Sequence, residues 1–221
     1  FSTLQAHHRE DADYAARKGR TDHVRLWAVG QAMALSRSLA LFQNPARGSE
    51  GIFPEFTFYD CHSCHRRIFD QANAVRTGIS NPGRPIPEGM PPYQDENMIM
   101  LAAAARVAAP ALAERFDARA RAFHAAMARD RGAAHAAARD LAAVTADLAA
   151  AFEAASFGPG SARRMAQAIA GDALRPRFTD YEGSVQAVMG IDTLLSAMVS
   201  SGEVTVGAAA GIRDNINRAY A

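Results

Sequence analysis

Between residues 101 and 170 the chain is dominated by alanine, broken mainly by Arg, Asp and larger apolar side chains. Alanine is the strongest helix former, because it gives up no side-chain entropy on entering a helix. A stretch of this composition cannot supply strands. It is not disordered either, because its larger apolar residues recur at helical spacing. Leu112, Phe116, Phe123 and Met127 fall on one stripe, and Leu141, Val144, Leu148 and Phe152 on another. Met165 and Ile169 mark a shorter helix. Tyr181, Val185, Val188, Leu195 and Met198 mark a long one, and Ile212, Ile216 and Tyr220 the last. Each pattern predicts an amphipathic helix with one buried face. Short connections favour antiparallel neighbours. The fold class expected is therefore all-α, with a helical bundle over residues 95–221 starting at Asp95.

Residues 1–94 read differently, as a segment packed with that bundle into one unit. Ser2 to Lys18 is polar and ends at Gly19. Thr21 and Asp22 are N-cap residues for a helix running to about Gln43, whose buried stripe is expected at Leu26, Val29, Met33 and Leu39 with Trp27 beside it. Asn44-Pro45 and Gly48 end it. The aromatic run Ile52-Phe53-Pro54-Glu55-Phe56-Thr57-Phe58-Tyr59 follows, and then a short helix over residues 60–72. Residues 77–93 hold Gly78, Pro82, Gly83, Pro85, Pro87, Gly89, Pro91 and Pro92, so a loop is expected there. A loop of that length without structure of its own is more often functional than accidental. No internal repeat is evident.

The formal net charge of the 221 residues is +1, which offers no basic excess for nucleic acid. No stretch approaches the roughly 20 apolar residues of a membrane-spanning helix.

The chain has two cysteines, and both lie in Cys61-His62-Ser63-Cys64-His65. This is the C-x-x-C-H pattern of covalent haem attachment. Cysteines at this spacing on a helical turn present both sulfurs to one edge of a porphyrin, where they add to its two vinyl groups. The next residue brings its imidazole beneath the iron. The pattern predicts one haem c per chain, with Cys61 and Cys64 as thioethers and His65 as the proximal iron ligand. A thioredoxin-type disulfide would want a strand–helix context, and none is expected. A structural zinc site needs four ligands, and there is no second cysteine pair. His62 is expected to face solvent or a haem propionate. Phe53, Phe56, Phe58, Tyr59, Ile68 and Phe69 crowd the same region of sequence, as an apolar haem pocket requires.

The other axial position is less constrained. Met90, in Gly89-Met90-Pro91-Pro92, stands on a rigid loop of the kind that carries the sixth ligand in small soluble cytochromes c, although closer to the attachment site. His7 and His8 precede the haem segment, and histidine is the usual second ligand in low-potential electron transfer. His23 reads as a first-turn residue, His124 as a boundary histidine and His135 as exposed, while Met98 and Met100 read as core.

Three stretches carry a family resemblance: Leu4-Gln5-Ala6-His7-His8-Arg9-Glu10, Val24-Arg25-Leu26-Trp27-Ala28-Val29-Gly30-Gln31-Ala32, and Pro54-Glu55-Phe56-Thr57-Phe58-Tyr59-Asp60 running into the haem motif. Together they resemble the C-terminal part of a multihaem c-type cytochrome family, similar to the tetrahaem electron carrier of nitrifying bacteria. The resemblance covers roughly the first third of the chain. It implies electron transfer between close-packed haems with histidine on both sides of the iron, and it raises His7 as sixth ligand. This chain departs from that pattern in having one attachment motif. Partner proteins carrying further haems, or upstream haem segments, are therefore expected. Haem attachment of this kind takes place outside the cytoplasm, so a periplasmic or otherwise exported protein is expected, with an export signal in the precursor. The leading function is a non-enzymatic electron carrier. The alternatives are a five-coordinate haem that binds a gas or carries out small-molecule redox catalysis, and a helical docking module in which the haem is a minor feature.

Overall fold

The computed structural model describes residues 12–19, 21–48, 53, 55–60, 93–174 and 181–220. Among these residues the architecture is all-α, a helical bundle in which the extended backbone is an isolated antiparallel bridge between Tyr59 and Tyr93. Helix α1, Ala12–Lys18, has no buried residue. It stops at Gly19, which takes φ +77° and returns its N–H to the Ala15 carbonyl at 3.0 Å. A side chain at that position would be strained, so glycine supplies the stop.

Helix α2, His23–Gln43, starts as its sequence predicts: the Asp22 carboxylate accepts the Arg25 N–H at 2.9 Å. It ends at Asn44, whose side-chain oxygen accepts the Ala46 N–H at 2.9 Å and opens the short helix α3, Pro45–Gly48. The buried face differs from the one expected. Trp27, Ala28, Ala32, Leu35, Leu39 and Phe42 face the core, whereas Leu26 is 40 % and Met33 58 % exposed. Ala28 and Ala32 belong to the true stripe, because small side chains let a neighbouring helix come close. A pattern weighted by large aliphatic residues places the stripe about one residue, or roughly 100°, away.

Helix α4, Glu96–Ala108, is the central element. Every residue from Met98 to Ala105 is buried, and the helix packs against α2 and three later helices. A helix that is apolar all round belongs inside a bundle. Met98 and Met100 are core, as expected. Pro110 ends the run: it has no N–H to give, and it occupies the first turn of α5, Pro110–Met127, where none is needed. A turn at residues 128–130 then reverses the chain, and Asp130 caps α6, Arg131–Ala154, by accepting the Ala133 N–H at 2.8 Å. Arg115 reaches Asp147 and Arg119 reaches Asp140, both at 3.0 Å, so α5 and α6 run antiparallel. The predicted stripe Leu141, Val144, Leu148 and Phe152 is fully buried against α2 and α5.

Helix α7, Ser161–Leu174, and helix α8, Tyr181–Ser200, close the other side of α4. Met165 and Ile169 are fully buried as predicted, and Arg106 on α4 pairs with the buried Asp172 on α7. On α8, Leu195 and Met198 are buried, but Val185 and Val188 are half-buried. Gly190 takes up the closest packing: a Cβ there would lie 3.2 Å from the Met100 sulfur and 3.5 Å from the Trp27 ring. Helix α9, Val206–Tyr220, departs most from expectation. Ala209 is buried, Ile216 is half-buried and Ile212 is 42 % exposed. This helix lies on α8, held by Arg213 to Asp192 at 2.6 Å and to Ser196 at 2.7 Å. A peripheral helix anchored by polar contacts need not bury its isoleucines. Among the described residues no helix is long and apolar enough to cross a membrane.

One hydrophobic core joins α2 and the short aromatic segment before residue 61 to the helices that follow residue 95.

Candidate functional site

The residues singled out for chemistry, Cys61, Cys64, His65, His7 and Met90, lie outside the described residues, as do His8, His62, Ile68 and Phe69. The structure describes the frame at both ends of residues 61–92. Phe56–Phe58 form a 3-10 turn. Tyr59 then bridges Tyr93, and the Gln94 N–H donates to the Phe58 carbonyl at 2.9 Å. Asp60 is 1 % and Tyr93 3 % exposed. Residues 58–60 and 93–94, which flank 61–92 in sequence, therefore lie side by side in the bundle, and the cysteine motif starts in sequence at the residue after Asp60.

An aromatic cluster built on Phe42 holds this frame. The Phe42 ring, fully buried near the end of α2, meets Phe58 at 5.3 Å, Phe123 at 5.4 Å, and Phe53 and Tyr93 at 6.0 Å, mostly edge-on. Edge-to-face geometry sets the positive ring edge against the negative ring face. Phe58 and Tyr93 stack with their planes 6° apart. The buried Tyr93 hydroxyl lies 2.8 Å from the Ser38 hydroxyl. Burial pushes the Tyr93 phenol well above its ordinary range, and the Ser38 hydrogen bond opposes that push. Of the aromatic approach expected to crowd one region, Phe53 and Phe58 join this cluster, Tyr59 is half-buried, and Phe56 is 71 % exposed. Residues two apart in a 3-10 turn point in directions about 120° apart, so Phe56 and Phe58 cannot share a face.

Two histidines depart from their sequence reading. His124, expected at a boundary, is buried, and its Nε2 lies 3.0 Å from an oxygen of the buried Asp95 carboxylate. His135, expected to be exposed, is half-buried on α6. Its ring packs edge-on against Phe42 at 5.3 Å and against Phe53 at 6.2 Å. Its Nε2 is buried and has no hydrogen-bond partner. A polar atom left this way costs about 1–3 kcal/mol. Desolvation, followed by the Arg131 and Arg139 charges, holds the imidazole below its ordinary pKa. The Arg131 guanidinium lies 5.4 Å from the Phe53 ring centre. A sequence signal for His135 did exist: with Ala142 and Ala149, both partly buried, it forms a seven-residue spacing along the edge of the α6 core stripe. The Asp95–His124 pair joins two helices and had no local signal.

Comparison with protein-family models, with curated proteins and with solved structures finds no match to this chain.

Proposed function

We propose that this chain is a c-type cytochrome: one haem attached through Cys61 and Cys64, with His65 as proximal ligand, in an exported electron carrier. The observation that carries this reading is the motif Cys61-His62-Ser63-Cys64-His65 in a chain with no other cysteine. The frame supports it. The motif follows directly in sequence on a segment anchored in the bundle, where Tyr59 bridges Tyr93 and Phe58 packs on Phe42.

The donor set fits a haem. It offers two thiols and an imidazole at attachment spacing, in sequence just after a segment that packs into the aromatic cluster. A haem c bound there supplies one-electron transfer between ferric and ferrous iron. The residues of the chain would do the rest. Cys61 and Cys64 would hold the ring covalently, His65 would ligate the iron, and the Phe42 cluster would anchor the segment that leads into the motif. His7 and Met90 are the candidates that the sequence offers for the opposite axial position. The partners of such a carrier are redox proteins, including multihaem cytochromes of the kind its first third resembles.

The test is a carbon monoxide difference spectrum of the exported, haem-loaded chain. A filled coordination sphere gives a low-spin spectrum in both oxidation states and no rapid carbon monoxide binding. A high-spin haem that binds carbon monoxide at once, without denaturant, would replace the carrier reading with a gas-binding or redox-catalytic one.

A further inference from the structure

We propose that the outer face of α2 is a self-association surface, on which a second copy of this chain packs its own α2 antiparallel across a two-fold axis level with residues 33 and 34. Within residues 26–43 of this helix the one charged side chain is Arg37. Trp27, Ala28, Ala32, Leu35, Leu39 and Phe42 account for the side that faces the core. The opposite side is apolar as well. Leu26 is 40 %, Met33 58 % and Leu41 41 % exposed, and Ala34, Arg37 and Ala40 are exposed beside them. At roughly 100° per residue these six fall in one sector about 120° wide, opposite the core stripe, with the half-buried Gly30 inside it. A helix apolar on both sides calls for cover on both sides. The alanine-rich helices α5 and α6 show the contrary design in the same chain, because Arg115–Asp147 and Arg119–Asp140 stand on their exposed surface.

The order of residues along the face selects a second copy as its cover. In a two-fold contact, a residue that meets another is met by it in return. With the axis level with the midpoint of Met33 and Ala34, Leu26 stands level with the partner's Leu41, and Gly30 with the partner's Arg37. Leucines then meet at both ends of the contact. Arginine crosses the one glycine of the helix, where its aliphatic stem lies flat and its charge reaches water. Met33, beside the axis, packs on its own copy, and a flexible thioether suits such a self-contact. The two Arg37 charges are about 10 Å apart along the helices, beyond the screening length of about 8 Å at physiological salt. A parallel pairing would set Arg37 directly against Arg37. The stripe from Leu26 to Leu41 is about 22 Å long and one helix wide, which places the interface at the small end, below about 1,200 Å² in all. The dimer is therefore reversible and dependent on concentration.

The test is sedimentation velocity of the full chain from low to high micromolar concentration, with urea midpoints to show that each variant is folded. The wild type should pass from monomer to dimer. Met33→Glu brings two carboxylates together at the axis, and Leu26→Lys or Leu41→Glu puts a lone charge against leucine. Each should weaken association by about tenfold or more. The double variant Leu26→Lys/Leu41→Glu should recover it, because the new lysine lies level with the partner's new glutamate while the two are about 22 Å apart on their own helix. Met33→Glu, at the most exposed of these positions, decides the matter should the leucine variants fold poorly. A wild type that stays monomeric throughout overturns the proposal, as does one that floats with phosphatidylcholine vesicles in place of dimerising. A dimer indifferent to Met33→Glu overturns it too. Single variants that dissociate without recovery in the double variant overturn the antiparallel pairing and the proposal with it.

Discussion

Replacing Phe42 by alanine tests the aromatic frame that joins residues 53–60 and Tyr93 to the bundle. Phe42 is fully buried and its ring meets those of Phe53, Phe58, Tyr93, Phe123 and His135. Truncating a core phenylalanine costs about 3–5 kcal/mol in lost transfer energy and residual cavity. Each aromatic pair adds about 0.5–1.5 kcal/mol beyond its area. These pairs share one ring and do not add independently, so the expected cost is the upper part of the range, about 4–5 kcal/mol. Against a typical total of about 5–15 kcal/mol, that loss would leave the fold marginal. Phe42→Leu keeps most of the volume but loses the ring pairs, and should cost less than the alanine variant, about 2–3 kcal/mol. It should also loosen the pairing of residues 58–59 with 93–94. The assay is urea unfolding followed by far-ultraviolet circular dichroism, with Met189→Ala as control. Met189 is 56 % exposed, and its truncation should stay within about 0.5 kcal/mol. Hydrogen exchange at the Gln94 amide, bonded to the Phe58 carbonyl, reports the pinning directly and should speed up in Phe42→Leu more than amides of α7 do. A Phe42→Ala shift no larger than the Met189→Ala control, or an unchanged Gln94 amide, would refute this account of the frame.

His124→Ala removes the imidazole from the buried Asp95 carboxylate, and should cost about 1–3 kcal/mol in the same urea assay. A change below 1 kcal/mol, taken as roughly the worth of an exposed pair, would show that the two side chains are not a buried pair. Tyr93→Phe removes the Ser38 hydrogen bond and should cost about 1 kcal/mol near neutral pH. The Tyr93 phenol is raised on folding, so the unfolded chain ionises first, from a pKa of about 10. The unfolded state then binds fewer protons, and stability is lost as pH rises through and above that value. Denaturant midpoints measured from neutral pH upwards should fall less steeply in Tyr93→Phe than in the wild type, and identical slopes would contradict the burial of the phenol.

The fold class is legible because helix formation in this chain is decided locally. Alanine composition, the Asp22 cap, the Pro110 break and the stripe ending at Phe152 each act within a few residues. Which face a helix buries is decided by its neighbours, and that is where the reading slipped. On α2 the neighbour approaches over Ala28 and Ala32, and Leu26 and Met33 are left outside. On α9 the supporting neighbour is α8, and Ile212 stays largely in solvent. The central place of α4 was written in its apolar run from Met98 to Ala105, which carries no polar face to turn outward. The Cys61–His65 motif is legible as a pattern because its residues are neighbours in sequence and need no fold to bring them together. The partners that act across the fold are not: Asp95 with His124, and His135 with Phe42 and Phe53, are brought together only by packing.

The central claim is covalent haem at Cys61 and Cys64, and the most direct measurement is the intact mass of the chain produced with export and haem-attachment machinery, beside Cys61→Ala/Cys64→Ala. The account predicts a wild-type mass equal to the polypeptide plus one haem, with the double variant at the mass of the polypeptide alone. A wild-type chain that carries no added mass, while a known c-type cytochrome matures in the same cells, would contradict it.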